Sequence, residues 1–129
     1  MTYASTSRRT GFTLIELLVV LAIIALLATL ALPKYFQSID TAKETVLVDN
    51  LRMTRETIDK FYADTGKYPD SLDELVEKKY LRAVPLDPIT DSRSTWQIVP
   101  PEDDSRGKVA GISSGAEGND RNGTPYGAL

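Results

Sequence analysis

The sequence predicts an α+β fold: a long N-terminal helix, with a transmembrane first half and an amphipathic second half, packed on a small antiparallel sheet with an irregular C-terminal loop. Three observations predict it. An apolar run lies near the N-terminus, a helical apolar periodicity continues beyond Pro33, and the last third is rich in Pro and Gly with short β-prone pieces between them. The chain has 129 residues, enough for one small domain. It carries 15 Lys+Arg against 18 Asp+Glu, a formal net charge of −3, a balance that argues against a polyanion-binding surface, so no nucleic-acid partner is expected. It contains no Cys and no His, which removes disulfides, zinc fingers, thiol and imidazole nucleophile chemistry. Carboxylates alone could serve glycoside hydrolysis, but no spacing marks a working pair. No phosphate-binding Gly loop ending in Lys-Ser/Thr is present. Most familiar enzyme chemistries are therefore excluded, and an enzyme is the least supported reading of this sequence.

From Phe12 to Leu32 the polar residues are Thr13, Glu16 and Thr29. As a helix this run measures about 31 Å at a rise of 1.5 Å per residue, the thickness of a bilayer's hydrocarbon core. A buried core helix in so small a domain would need one solvated face, and Leu17 to Ala28 offers none. A cleavable secretory signal would end in small residues at the cut, whereas Pro33-Lys34-Tyr35-Phe36 follows here. The run 12–33 is thus expected to stay as a membrane-spanning segment. Arg8 and Arg9 precede it, and Lys34 and Lys43 follow it, so basic residues alone orient it only weakly.

Residues 1–11 are short, polar and basic, and read as a leader. The junction that follows, Gly11-Phe12-Thr13-Leu14-Ile15-Glu16-Leu17-Leu18-Val19-Val20, resembles the N-terminal processing motif of the type IV pilin and type II secretion pseudopilin superfamily. The resemblance implies that a membrane prepilin peptidase cuts between Gly11 and Phe12 and methylates the new amino terminus of Phe12. Loss of Arg8 and Arg9 would take the formal charge from −3 to −5.

Glu16 stands out on physical grounds as well. An ionised carboxylate in an apolar helix is unfavourable by about 2 to 3 kcal/mol even on a lenient insertion scale, and it needs a cationic partner. After cleavage the Phe12 amine is the nearest candidate, charged at neutral pH. Glu16 can compensate the helix end and amine of its own chain. Alternatively it can meet the Phe12 amine of a neighbouring subunit and set register in a filament.

Residues 34–129 follow as the periplasmic domain that the resemblance implies. Tyr35, Ile39, Ala42 and Val46 form one apolar stripe of an amphipathic helix over 34–65, and Leu47, Leu51, Ile58, Phe61 and Tyr62 continue it. Pro33, between the two halves, removes a backbone donor and predicts a kink or local unwinding. In the resembling family the helix can stretch in this region during assembly. Thr65-Gly66 predicts the helix end. Ser71 with Glu74 fits a capping box for a short helix over 72–80.

The sheet and loops are expected over 84–129. Thr95–Val99 and Lys108–Ser113 are the β-prone pieces of a two- to four-stranded sheet. Trp96 and Ile98 alternate with Gln97 and Val99, so both should face the core. Ser114–Leu129 has the Gly- and Asn-rich composition of irregular loop. Major pseudopilins hold calcium in a Gly-rich loop here, and the resemblance makes Glu117 and Asp120 its possible ligands. A solvated turn is the simpler reading of the same residues.

Taken together, the resemblance implies a subunit of the pseudopilus of a type II secretion system, in the bacterial inner membrane by a single pass and then in a periplasmic filament. Its implied partners are other copies of itself, the prepilin peptidase, other pseudopilins, an inner-membrane platform with its ATPase, and membrane lipid. A type IV pilus or DNA-uptake pilus subunit is the alternative, and a membrane-anchored binding module that never assembles is a third.

Overall fold

The computed structural model describes residues 11–129, so residues 1–10 of the expected leader lie outside the described residues. Its elements are α1 (Leu14–Thr65), α2 (Leu72–Glu77), β1 (Gln97–Val99), a 3-10 turn (Asp104–Arg106), β2 (Gly111–Ser113) and a second 3-10 turn (Tyr126–Ala128). The chain divides into two compact units between Ser38 and Ile39.

The described part of the first unit is the apolar half of α1. Thr13 begins the helix: its Oγ1 accepts the Glu16 N–H at 3.1 Å and its carbonyl accepts the Leu17 N–H, satisfying donors that a helix start leaves unpaired. Side chains from Leu14 to Leu32 lie exposed apart from the half-buried Ala28. This is the one helix among the described residues long and apolar enough to cross a membrane. The expected unwinding at Pro33 is not found, since α1 runs through it as continuous α-helix. Proline cannot donate to the Thr29 carbonyl one turn earlier, so the helix continues through it with one hydrogen bond fewer.

The second unit holds the core. Leu47, Leu51, Ile58 and Phe61 of α1 pack with Leu72 and Leu75 of α2 and with Leu81, Trp96, Val109 and Ile112. Thr54 lies in the same seam, its hydroxyl donating to the Asn50 carbonyl at 2.7 Å. The spacing 47, 51, 54, 58, 61 is one helix face. The expected stripe of Tyr35, Ala42 and Val46 is corrected: all three are exposed, because the seam that meets the rest of the domain begins at Leu47.

Gly66 ends α1 at a φ of 75°, as glycine does after a helix. Ser71 caps α2, its Oγ accepting the Glu74 N–H, while the Glu74 carboxylate returns to the Asp70 N–H at 2.6 Å. α2 ends at Glu77, three residues short of the expected Tyr80. Lys79 takes a φ of 65°, and the N–H groups of Tyr80 and Leu81 both turn back to the Leu75 carbonyl, a closure that satisfies the last carbonyls and stops the helix.

β1 and β2 form a two-stranded antiparallel sheet with Ile98 opposite Ile112. Trp96 is buried as expected, its indole N–H donating to the Pro85 carbonyl at 2.8 Å. Ile98 is not: it is 45% exposed where Ile112 is 1%. It lines a groove of about 850 Å³ with Leu72, Val76, Trp96 and Val109, at the rim of the core instead of within it. Gly107 lies at a φ of 111° against the Tyr68 carbonyl, which occupies the space a Cβ would need, so only glycine fits.

Candidate functional site

The residues singled out at the N-terminus come together as one short segment. Gly11, Phe12 and Thr13 precede α1 in no regular structure, and Phe12 is 85% exposed. A solvated backbone outside regular structure is one a peptidase can accommodate. A Cβ placed on Gly11 would meet nothing, so no packing within this fold requires glycine there.

Glu16 lies in the first turn of α1, at the third helical position after the Thr13 cap. Its negative charge is therefore placed at the positive end of the helix dipole. The ion pairs among the described residues are Arg52–Asp49, Arg106–Asp103 and Arg121–Glu44; Glu16 belongs to none of them. The Thr-x-x-Glu spacing of Thr13 and Glu16 is a helix-start signal in its own right, and it accounts for a role of Thr13 that the sequence analysis did not assign. What the segment can do chemically is limited and clear. It offers an exposed Gly11–Phe12 junction and a carboxylate one turn away at the head of an uncovered apolar helix.

Pro33 lies on the same helix, within the first unit. Glu117 and Asp120 lie in the second. Glu117 is exposed and Asp120 half-buried. The Asp120 Oδ1 accepts the N–H groups of Asn122 and Thr124, each at 2.9 Å. Among the described residues no three acidic side chains converge as metal ligands. Calcium takes six to eight oxygens, usually with several carboxylates among them, and the donor set here does not fit it.

The loop 114–129 is instead tied down by polar anchors that the sequence did not reveal. Arg55 of α1 donates from Nη2 to the Ile112 carbonyl at 2.9 Å and to the Leu129 carbonyl at 2.6 Å. Glu44 of α1 accepts from the Arg121 backbone at 3.1 Å and from the Tyr126 hydroxyl at 3.5 Å. These partners lie 57 to 82 residues apart, so no local spacing could have announced them.

Comparison with known proteins agrees with the N-terminal geometry. The family profile described as "Prokaryotic N-terminal methylation motif" matches residues 6–32. The type II secretion system core protein G of Pseudomonas aeruginosa is 32% identical over 97 residues, covering 63% of this chain and 68% of that protein. Its namesake from Klebsiella michiganensis is 28% identical over 124 residues, covering 84% of each. The type IV major pilin protein PilA of Myxococcus xanthus is 34% identical over 68 residues, covering 53% of this chain and 31% of the pilin. No solved structure gives a significant match. The methylation motif, the relatives and the apolar helix headed by Thr13 and Glu16 concur, and the chain belongs to the family of type II secretion pseudopilins and type IV pilins.

Proposed function

We propose that the chain is the repeating subunit of a type II secretion pseudopilus, anchored in the inner membrane by the apolar half of α1 and then drawn into a filament. The observation that carries this reading is Glu16: an acid in the first turn of a helix whose apolar side chains have no cover, with no ion pair among the described residues. Cleavage between Gly11 and Phe12 by a prepilin peptidase leaves a methylated amine on Phe12, still a cation. In the filament Glu16 accepts that amine from a neighbouring subunit. The contact selects register more than it adds stability, as paired charges in apolar surroundings do.

The apolar side chains from Leu14 to Leu32 leave lipid only where an equally apolar environment replaces it, and the same helices of adjacent subunits provide that. The work of extraction comes from a membrane platform and its ATPase. Before assembly, Lys34, Tyr35 and Phe36 stand at the periplasmic headgroup level, where basic and aromatic side chains anchor a span. Tyr35 and Phe36 are exposed and meet edge to face with centroids 5.9 Å apart.

Two substitutions test the proposal. Gly11→Val should leave residues 1–11 attached and Phe12 unmethylated by intact-mass spectrometry. Glu16→Gln should be inserted and cleaved normally but yield no filaments by electron microscopy. Filaments in normal number from Glu16→Gln would overturn the assigned role of the carboxylate. The match to the Myxococcus pilin supports a second reading, a type IV pilus subunit, which predicts filaments outside the cell at natural expression levels instead of within the periplasm.

A further inference from the structure

We propose that the C-terminal loop of this chain is fastened to α1 by its own guanidinium, Arg121 on Glu44, and closes without a divalent cation. The reasoning begins at Glu44. Its side chain is 13% exposed, while that of Arg121 is 63% exposed. The loop has therefore covered the acid and left the base at the surface. A carboxylate withdrawn from water needs donors and a counter-charge, and the loop brings both. The Arg121 backbone N–H donates to Oε1 at 3.1 Å, and the guanidinium Nε stands 3.8 Å from Oε2. The Tyr126 hydroxyl donates to Oε1 at 3.5 Å. The Arg121 Nη1 also donates to the Thr41 hydroxyl at 3.2 Å. Thr41 and Glu44 are three residues apart, hence neighbours on one face of α1, and Arg121 spans them both.

The turn that delivers Arg121 is self-sufficient. Asp120 accepts the Asn122 and Thr124 N–H groups at Oδ1, donates its own N–H to the Thr124 carbonyl at 2.8 Å, and accepts the Gly123 N–H at its carbonyl at 3.0 Å. Gly123 takes the φ of 82° that this turn requires. A cation approaching Oδ1 would face the positive ends of two N–H dipoles already pointing there. Asp120 is thus a turn carboxylate, and the positive charge the region requires comes from the next residue in the chain. The surroundings are negative enough to need it. The Tyr126 phenol is held above its ordinary value by burial first, then by the charge of Glu44 and its hydrogen bond to it, and by the charges of Asp40 and Asp120. Downstream, Arg55 holds the Leu129 carbonyl from the same helix, so the loop is secured by arginine at two places.

The test is amide hydrogen exchange of residues 115–129 in the full chain, purified in detergent micelles. Excess EDTA and excess calcium chloride should leave the same protection in this segment. Arg121→Gln, a change at an exposed side chain, should raise its exchange about tenfold, the scale of one charge-assisted hydrogen bond. Amides of the α1 seam, 47–61, should stay unchanged. Glu44→Gln keeps the acceptor oxygen and loses the charge, and should raise exchange less. A gain of protection on adding calcium to the unsubstituted chain overturns the proposal, as does an Arg121→Gln chain whose loop exchanges like the original.

Discussion

Asp87 is fully buried, and the fold tolerates it because both carboxylate oxygens are engaged. Oδ1 accepts the Ile89 N–H at 2.9 Å and the Thr90 N–H at 3.4 Å, and Oδ2 accepts the Ser114 hydroxyl at 2.6 Å. One side chain thereby shapes the turn 87–92 and ties it to the residue after β2. Asp87→Ala should destabilise the chain by about 2 to 4 kcal/mol in urea unfolding, since it orphans the buried Ser114 hydroxyl and two half-buried N–H donors; Asp87→Asn, which keeps one acceptor, should lose less. The phenols give a pH signature. Tyr80 is held above its ordinary value by its hydrogen bond to Asp64, with burial and that acid's charge adding to it, and Tyr126 is raised as described. A proton held more tightly in the folded chain stabilises fully below the unfolded value of about 10 and is lost as pH rises through the folded value. Melting temperature should therefore fall above about pH 10 more steeply in the original chain than in a Tyr126→Phe chain. Asp103 works in the opposite direction. Its carboxyl is lowered by the Ser105 hydroxyl and N–H, a contribution present above the unfolded carboxyl value and lost in acid. The Ser71 cap was legible because its partner lies three residues away. Glu44, Arg55 and the burial of Asp87 against Ser114 were not, because those partners are set by tertiary folding and an isolated charged residue looks like any solvated one.

Among the elements, α1 carries two kinds of information in 52 residues. Its first half was legible from composition alone, since an apolar run with no polar face has few soluble solutions. Its second half was legible from period, though only where a partner covers it. The periodicity of Tyr35, Ala42 and Val46 is as good as that of Leu47 and Leu51, and nothing local distinguishes an apolar stripe that is covered from one that is not. The same limit applies to Ile98, whose alternation with Gln97 is genuine but whose strand of three residues lies at the core's rim. The end of α2 was missed for a backbone reason, the left-handed Lys79, which side-chain pattern does not report. Pro33 is the element-scale lever. It leaves the Thr29 carbonyl without an intrahelical donor, while the Thr29 hydroxyl is committed to the Ala25 carbonyl at 2.8 Å. Pro33→Ala restores that bond in a segment where proline is unfavourable by about 3 kcal/mol. Hydrogen exchange over residues 29–37 should slow, with the loop 114–129 unaffected. Unchanged exchange would mean that the helix already holds its form there at no disadvantage.

For the whole molecule, the two units obey different solvents. Among the described residues every buried hydrophobic residue of the core lies at or beyond Leu47, so the second unit, Ile39–Leu129, contains the burial that stabilises it. Among the described residues the first contributes none to the core, and its helix exposes its leucines, isoleucines and valines. A patch of that extent is an interaction surface, because solvated monomers do not keep one. The folding of the domain and the placement of the apolar helix should then be separable. A chain starting at Ile39 should be a soluble monomer by light scattering, with a melting temperature close to that of the full chain in detergent and matching protection at the Leu47, Leu51 and Ile58 amides. If it were molten, the first unit would be contributing stability across the junction at Ser38. The distinction bears on assembly. In the proposed assembly, a domain that folds on its own would remain unchanged while its helix passes from lipid to neighbouring helices, so extraction would exchange one apolar surround for another without unfolding the second unit.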